Sequence, residues 1–210
     1  MAEGVSAAQA GRPLLRAVDL SLNASGDYTP HGWQASVSPL TVRSGPAMFF
    51  TLEAKAGQLA GANQPVKIAG KFSAALPVLL AQPAAGGAVQ LTRGDAVGDF
   101  SASLGAKQEM QATLSLTNLE ADPKVTAEKL PAISAEVRAD IAEGGQITLN
   151  TPLLVERGGR KSDLSLIGTL TPEAKGLTVA LRVSSAHLVV DDLKILTASL
   201  APAPAPASGT

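Results

Sequence analysis

Cysteine is absent from the 210-residue chain, which excludes disulfides, thiolate metal centres and a cysteine nucleophile. Aromatic residues are scarce: one Trp, one Tyr and four Phe in a chain that is 45% hydrophobic. Any core must therefore be built from Leu, Val, Ile and Ala, which suit thin sheets better than deep globular cores. Charge of one sign is missing as well. Lys plus Arg total 17 and Asp plus Glu 18, for a net charge of -1. No like-charge run offers a footprint for a phosphate backbone, so nucleic acid is not an expected partner.

Imidazole is limited to His31 and His187, with no His-x-x-x-His spacing, so no metal or other cofactor is expected. No stretch reaches the roughly 20 apolar residues of a membrane span, and residues 1–12 lack the basic and apolar regions of an export signal. Catalytic signatures are missing too. The nearest approach to a phosphate-binding loop is Gly70-Lys71, followed by Phe72 inside a strand-like run. Neither Gly-x-Ser-x-Gly nor Ser-x-x-Lys occurs, and the chain reads as a non-enzyme.

What the sequence does have is alternation. Val18, Leu20 and Leu22 alternate with polar residues, as do Trp33, Ala35 and Val37, with Leu40 and Val42 beyond Pro39. Pro39 points to an edge or a bulge. Phe50, Leu52, Ala54 and Ala56 alternate with Thr51, Glu53 and Lys55, and Val66, Ile68, Gly70 and Phe72 with Lys67 and Lys71. The pattern returns at Phe100 to Leu104, Met110 to Leu116, Ile133 to Ile141, Ile147 to Leu149, Leu164 to Leu170, Leu177 to Val183 and Leu188 to Val190. Period two with Gly, Pro, Asn and Asp clusters between the runs predicts half-buried antiparallel strands joined by hairpins. About a dozen strands covering roughly 40% of the chain exceed the globular average of 20 to 25%.

The expected fold class is all-β: an antiparallel meander forming a curved, groove-like sheet, with a β-sandwich as the alternative. Two short segments break the alternation and read as helices, 75–82 (ALPVLLAQ) and 191–200 (DDLKILTASL). Connections are expected at Asn23 to Asp27, Gly61 to Pro65, Gly86-Gly87, Gly105 to Glu109, Gly144-Gly145, Gly158-Gly159 and Pro172 to Gly176. Residues 1–13 are expected to be a disordered N-terminal segment and 14–200 a β-rich, repeat-like domain divisible into sub-units 14–82 and 88–200. Residues 201–210 (APAPAPASGT) form a Pro/Ala-rich tail.

Three polar clusters invite a functional reading. His31 lies beside Tyr28 and Trp33, and aromatics covering the end of a sheet explain that group without a ligand. Asp191 and Asp192 adjoin a strand end, where helix capping accounts for them better than calcium or acid-base chemistry. Arg157, Arg160 and Lys161 flank Gly158-Gly159 and read as a solvated hairpin tip rather than a site for anionic head groups.

The stretch Ser162 to Leu200, SDLSLIGTLTPEAKGLTVALRVSSAHLVVDDLKILTASL, and more faintly Pro65 to Gln82, PVKIAGKFSAALPVLLAQ, resemble the AsmA-like family of bacterial envelope proteins, which includes TamB-type proteins. The likeness lies in an x-L-x-L-x-G-x-L strand, a second alternating strand, and a V-D-D-L-x-x-L segment leading into a short helix and Pro-rich sequence. It implies a long sheet with an apolar lining, anchored in the inner membrane by sequence not present in this chain and reaching through the periplasm. It also implies a role in outer-membrane biogenesis or phospholipid transport. This chain would be a C-terminal portion of such a protein, with the remainder of the longer chain and phospholipid acyl chains as its partners.

A sheet with one apolar face must cover it with another layer or with a ligand. If lipid covers it, the lining is expected to include Phe50, Leu52, Val66, Ile68, Phe72, Leu164, Leu166, Leu177, Val179, Leu181 and Val183. The other reading is a structural or adhesive β-sandwich module of a large extracytoplasmic protein.

Overall fold

The computed structural model describes residues 1–9, 12–61, 63–83, 91–124, 126, 128–142, 145–173 and 176–194. The strands are β1 (Ala2–Gln9), β2 (Arg12–Thr29), β3 (Gly32–Ser44), β4 (Ala47–Leu59), β5 (Val66–Ala75) and β6 (Leu91–Leu104). They continue as β7 (Gln108–Ala121), β8 (Ala132–Ile141), β9 (Ile147–Arg157), β10 (Arg160–Glu173) and β11 (Gly176–Ser184). Helix α1 (Leu76–Leu80) separates β5 from β6, and a second short helix, α2, covers 190–194. All eleven strands lie in one antiparallel sheet in sequence order. The first and last strands do not close on each other, so the fold is the open meander and not the two facing sheets of a sandwich.

Strand accounts for 74% of the structure, far more than the alternating runs suggested. Ladder hydrogen bonds extend pairing past the apolar stretches. Asn23 to Asp27, expected as a connection, lies within β2 and pairs with β3, with a register shift between Leu22 and Ala24. Within residues 1–13, expected to be disordered, 2–9 form β1 and 12–13 begin β2. The proposed division into 14–82 and 88–200 does not appear in the sheet, because β5 and β6 pair without interruption from Val66↔Leu104 to Ala75↔Asp95. Pro39 lies at a register irregularity between Val37 and Leu40, a bulge inside the sheet and not at its edge. Gly86-Gly87, the tail 201–210 and the C-terminal part of the second expected helix fall outside the described residues.

The connections differ at the two ends of the sheet. Tight turns such as Pro30-His31 and 105–107 sit at one end. The other end carries longer links, of which the described parts are α1 with 81–83, residues 122–124, 126 and 128–131 between β7 and β8, and 185–194 after β11. These longer links lie over one face and close it. Leu76 of α1 and Leu130 join Ala74, Leu91, Ala96, Leu119, Ala121 and Val155 in one buried cluster, with Leu193 of α2 packed against it. A second cluster, Val18, Val42 and Phe49, is met by Val78 and Leu79 of α1.

Two compensating bulges in β6 and β7 seat the helix. Arg93 pairs with Glu120 and Asp95 with Thr117, so β7 carries one residue more than β6 across this step, at Asn118 with φ 54°. The step from Leu91↔Ala121 to Arg93↔Glu120 gives β6 the extra residue instead. An inserted residue flips the alternation. Leu91, Leu119 and Ala121, odd-numbered, thereby reach the same cluster as even-numbered Ala96. Gly94, with φ 157°, leaves the space that Leu76 and Leu119 fill: a Cβ there would stand 2.9 Å from Leu119 Cδ2 and 3.2 Å from Leu76 Cδ1.

Candidate functional site: an apolar sheet face closed at one end

Cross-strand register assigns side chains to faces, because residues directly opposite each other in a ladder share a side of the sheet. One such row runs Leu20, Val42, Phe50, Ala74, Ala96, Leu116, Ile133 and Val155, from β2 through to β9. It ends on β10 at Ser162, which is buried and accepts a 2.8 Å hydrogen bond from the Val189 N–H. Nearer the tight turns the same face carries Leu52, Phe72 and Gly98 in one register. Leu114, Ala135, Leu153 and Leu164 form another.

Burial falls along β2, β6 and β7 away from the closed end. On β6, Ala96 is 4% exposed and Leu104 36%. On β7, Leu119 is 6% and Met110 48% exposed. On β2, Val18 is fully buried whereas Leu22 is 59% exposed. The apolar face is thus dry beneath the helices and wet toward the tight turns.

The expected lining residues sit at two places on this sheet. Phe50, Leu52, Val66, Ile68 and Phe72 come from β4 and β5; Leu164, Leu166, Val179, Leu181 and Val183 come from β10 and β11, with Leu177 at the register position opposite Pro172. Phe50 and Phe72 stack with ring centroids 6.5 Å apart. The first group is half-buried; Val179, Leu181 and Val183 are exposed. Between the groups lie β6 to β9, whose Phe100, Met110, Leu114, Val137, Leu149 and Leu153 complete the face and were not among the expected lining. Their alternation was visible in the sequence. Only the strand order shows that they bridge the two ends.

The opposite face is mainly polar, with Val97, Leu154 and Ile167 as apolar exceptions. Its corresponding row is Thr51, Ser73, Val97, Ser115, Ser134, Leu154 and Asp163. A hollow of about 860 Å3 spans this face from Thr51 and Glu53 on β4 to Asp163 on β10. In a flat sheet those strands would spread over about 29 Å. One hollow touching them all reflects the bend and twist of the sheet. Its polar groups are largely paired with each other: Lys71 with Glu53 at 3.0 Å, Thr51 Oγ1 with Ser73 Oγ at 2.6 Å, and Thr113 Oγ1 donating to Asp99 at 3.4 Å.

The polar clusters resolve individually. Tyr28 is 85% exposed opposite Trp33, whose indole N–H donates to Gln58 at 3.3 Å, and His31 is exposed at the turn. Asp191 and Asp192, expected to cap a helix, lie inside α2, and Asp192 instead holds two arginines. It is 1% exposed, and its Oδ1 accepts from Arg157 Nε at 2.6 Å and Arg160 Nη2 at 2.8 Å. Arg157 also pairs with Glu128, and that hydrogen bond is the main cause holding its pKa above the ordinary arginine value. The arginines expected at a solvated hairpin tip therefore tie α2 and the 122–131 connection to β9 and β10. Lys161, paired with Glu156 at 3.5 Å, stays at the surface as expected, and Arg160 also remains exposed while it holds Asp192.

Asp163 makes a second anchor, accepting from the backbone N–H of His187 at 2.6 Å and of Ala186 at 3.1 Å, and from Ser185 Oγ at 3.3 Å. These hydrogen bonds, that from His187 foremost, hold its carboxyl below the ordinary aspartate range.

No group of three or more His, Asp and Glu suited to a metal occurs among the described residues, and no helix among them is long and apolar enough to cross a membrane. No known protein family, curated protein or solved structure matches the chain.

Proposed function

We propose that the chain is a non-catalytic segment of an AsmA-like envelope protein, and that its apolar sheet face shields phospholipid acyl chains during outer-membrane biogenesis or lipid transport. The observation that carries this reading is the apolar face itself, continuous across neighbouring strands and graded from a dry, helix-capped end to an exposed end. An acyl chain laid on the exposed part loses water contact at about 25 cal/mol per Å2 of apolar surface, while its head group stays hydrated. The process is passive and needs no catalytic group. The resemblance of Ser162 to Leu200 to the family supplies the biological setting: the periplasm, with inner-membrane anchorage through sequence outside this chain.

The test is mass spectrometry of detergent-free protein purified from a bacterial periplasm. Co-purified phospholipid is the expected result. A folded preparation that carries none, and that fails to bind a polarity-sensitive dye, overturns the reading.

A further inference from the structure

The two edges of the sheet are built differently. β1 pairs with β2 through three register shifts, with Gly4 at φ 62° and Ala17 at φ 47°. Such irregularity is how natural sheets discourage pairing along an edge. β11 has no such device. It pairs with β10 in uninterrupted register from Ser165↔Ser184 to Glu173↔Gly176. Residues 178–184 are all exposed, with Val179 at 50%, Leu181 at 51% and Val183 at 63%. The described residues after β11 turn back over β10 and β9, held by Asp163, Ser162, Arg157 and Arg160, and do not run along the outer edge.

The sequence of this edge, GLTVALRVS, is self-complementary about Ala180. If two copies lie antiparallel with Ala180 opposite Ala180, Val179 faces Leu181, Leu177 falls opposite Val183, and Thr178 faces Arg182. Apolar positions meet apolar positions on one side of the joined sheet, and the strand's one charge meets a neutral hydroxyl. A slide of two residues centres the pair on Leu181 and pairs seven residues of the strand where the Ala180 register pairs all nine, and a slide of four, centred on Arg182, puts arginine against arginine, which is unfavourable directly across a ladder. A slip by one residue puts apolar positions of one copy on the polar face of the other.

We propose that β11 is a docking edge for a second copy of this chain, pairing antiparallel about a two-fold axis at Ala180 and joining the two apolar faces into one. An isologous contact of this kind closes on itself as a dimer. The proposal stands on the geometry and sequence of the edge and is independent of whether lipid binds the face.

The absence of native cysteine allows a clean test on the full chain with single-cysteine variants under mild oxidation. Across the axis, A180C copies have Cα atoms about 4.5 to 5.5 Å apart, within disulfide reach. The variants T178C and R182C each lie too far from their own copy, but a mixture of the two meets across the strands. The expected result is a disulfide dimer from A180C and from the T178C and R182C mixture, with little from either single variant. Folding of each variant is checked by far-ultraviolet circular dichroism. Wild-type protein should sediment with a concentration-dependent mass, shifted to monomer by V183K. The proposal is overturned if A180C links no faster than A106C, a control in the exposed 105–107 turn, or if T178C alone links as readily as the mixture. It is equally overturned if the wild-type chain sediments as a monomer at every concentration.

Discussion

Phe72 on β5 lies over Gly98 on β6, and the pairing is reciprocal two residues along, where Phe100 of β6 lies over Gly70 of β5. A Cβ on Gly98 would stand 2.7 Å from Phe72 Cζ, and one on Gly70 would stand 2.5 Å from Phe100 Cζ. With four Phe in the whole chain, placing two of them across glycines lets each ring cover the strand beside its own. Sheets built with glycines commonly cover them in this way. G98V is expected to destabilise the fold by about 1 to 3 kcal/mol, since its Cβ would run into the Thr113 backbone oxygen as well as the Phe72 ring. Equilibrium denaturation checks it. A variant as stable as wild type means that Phe72 does not occupy the space over Gly98.

Asp192 gathers two arginines at a nearly inaccessible position, so D192N should loosen α2 from β9 and β10 while D191N, at an exposed neighbour, does little. Hydrogen exchange at Val189 and Asp192 should accelerate about tenfold or more in D192N, as local opening becomes easier. Equal protection in the two variants would show that the ion pairs do not hold the segment.

Asp163 predicts the acid behaviour of the 185–187 segment. A carboxyl whose pKa is lower folded than unfolded contributes stability that is present above the unfolded pKa and lost as pH falls through the folded one. The ordinary value is 3.8. The His187 amide should therefore keep its bonded chemical shift from neutral pH to below 3.8 and release only in stronger acid. In D163N that titration should vanish. A wild-type His187 shift that already moves between pH 5 and 4 would contradict the assignment.

The two faces can be separated by substitution. Leu181 and Ile167 are similarly exposed, at 51% and 48%, but lie on opposite sides of the sheet. Glutamate at either should change stability by only about 0.5 kcal/mol, as is usual for surface sites. Under the lipid reading, L181E lowers retained phospholipid severalfold and I167E leaves it unchanged, as measured by mass spectrometry of each purified variant. Equal retention by both would remove the face from the mechanism.

Alternation made most of this sheet legible. The runs at Phe50 to Ala56, Val66 to Phe72 and Leu164 to Leu170 all lie in strands, and α1 falls within its expected segment. The strand at residues 2–9 was not legible, because Ala, Gly and Ser carry little pattern and its pairing comes from β2. The bulges that carry Leu91 and Leu119 to the buried face were hidden for a related reason: an inserted residue breaks the period that reveals a strand. Arg157, Arg160 and Asp192 looked like surface charges because the residues between them are 30 or more positions of meander whose return path no local pattern records.

The sequence by itself determined that each alternating run has one apolar and one polar side, since a period of two leaves no other placement. It also determined that the core relies on aliphatic side chains. Only the tertiary structure decided how far that face is covered. Burial depends on which links fold back over it, and α1, the described part of the β7–β8 link and α2 cover one end through long-range contacts while leaving the other end in water. The same is true of β11. Its apolar alternation is written in the sequence, but its standing as an edge strand follows from the order of strands in space.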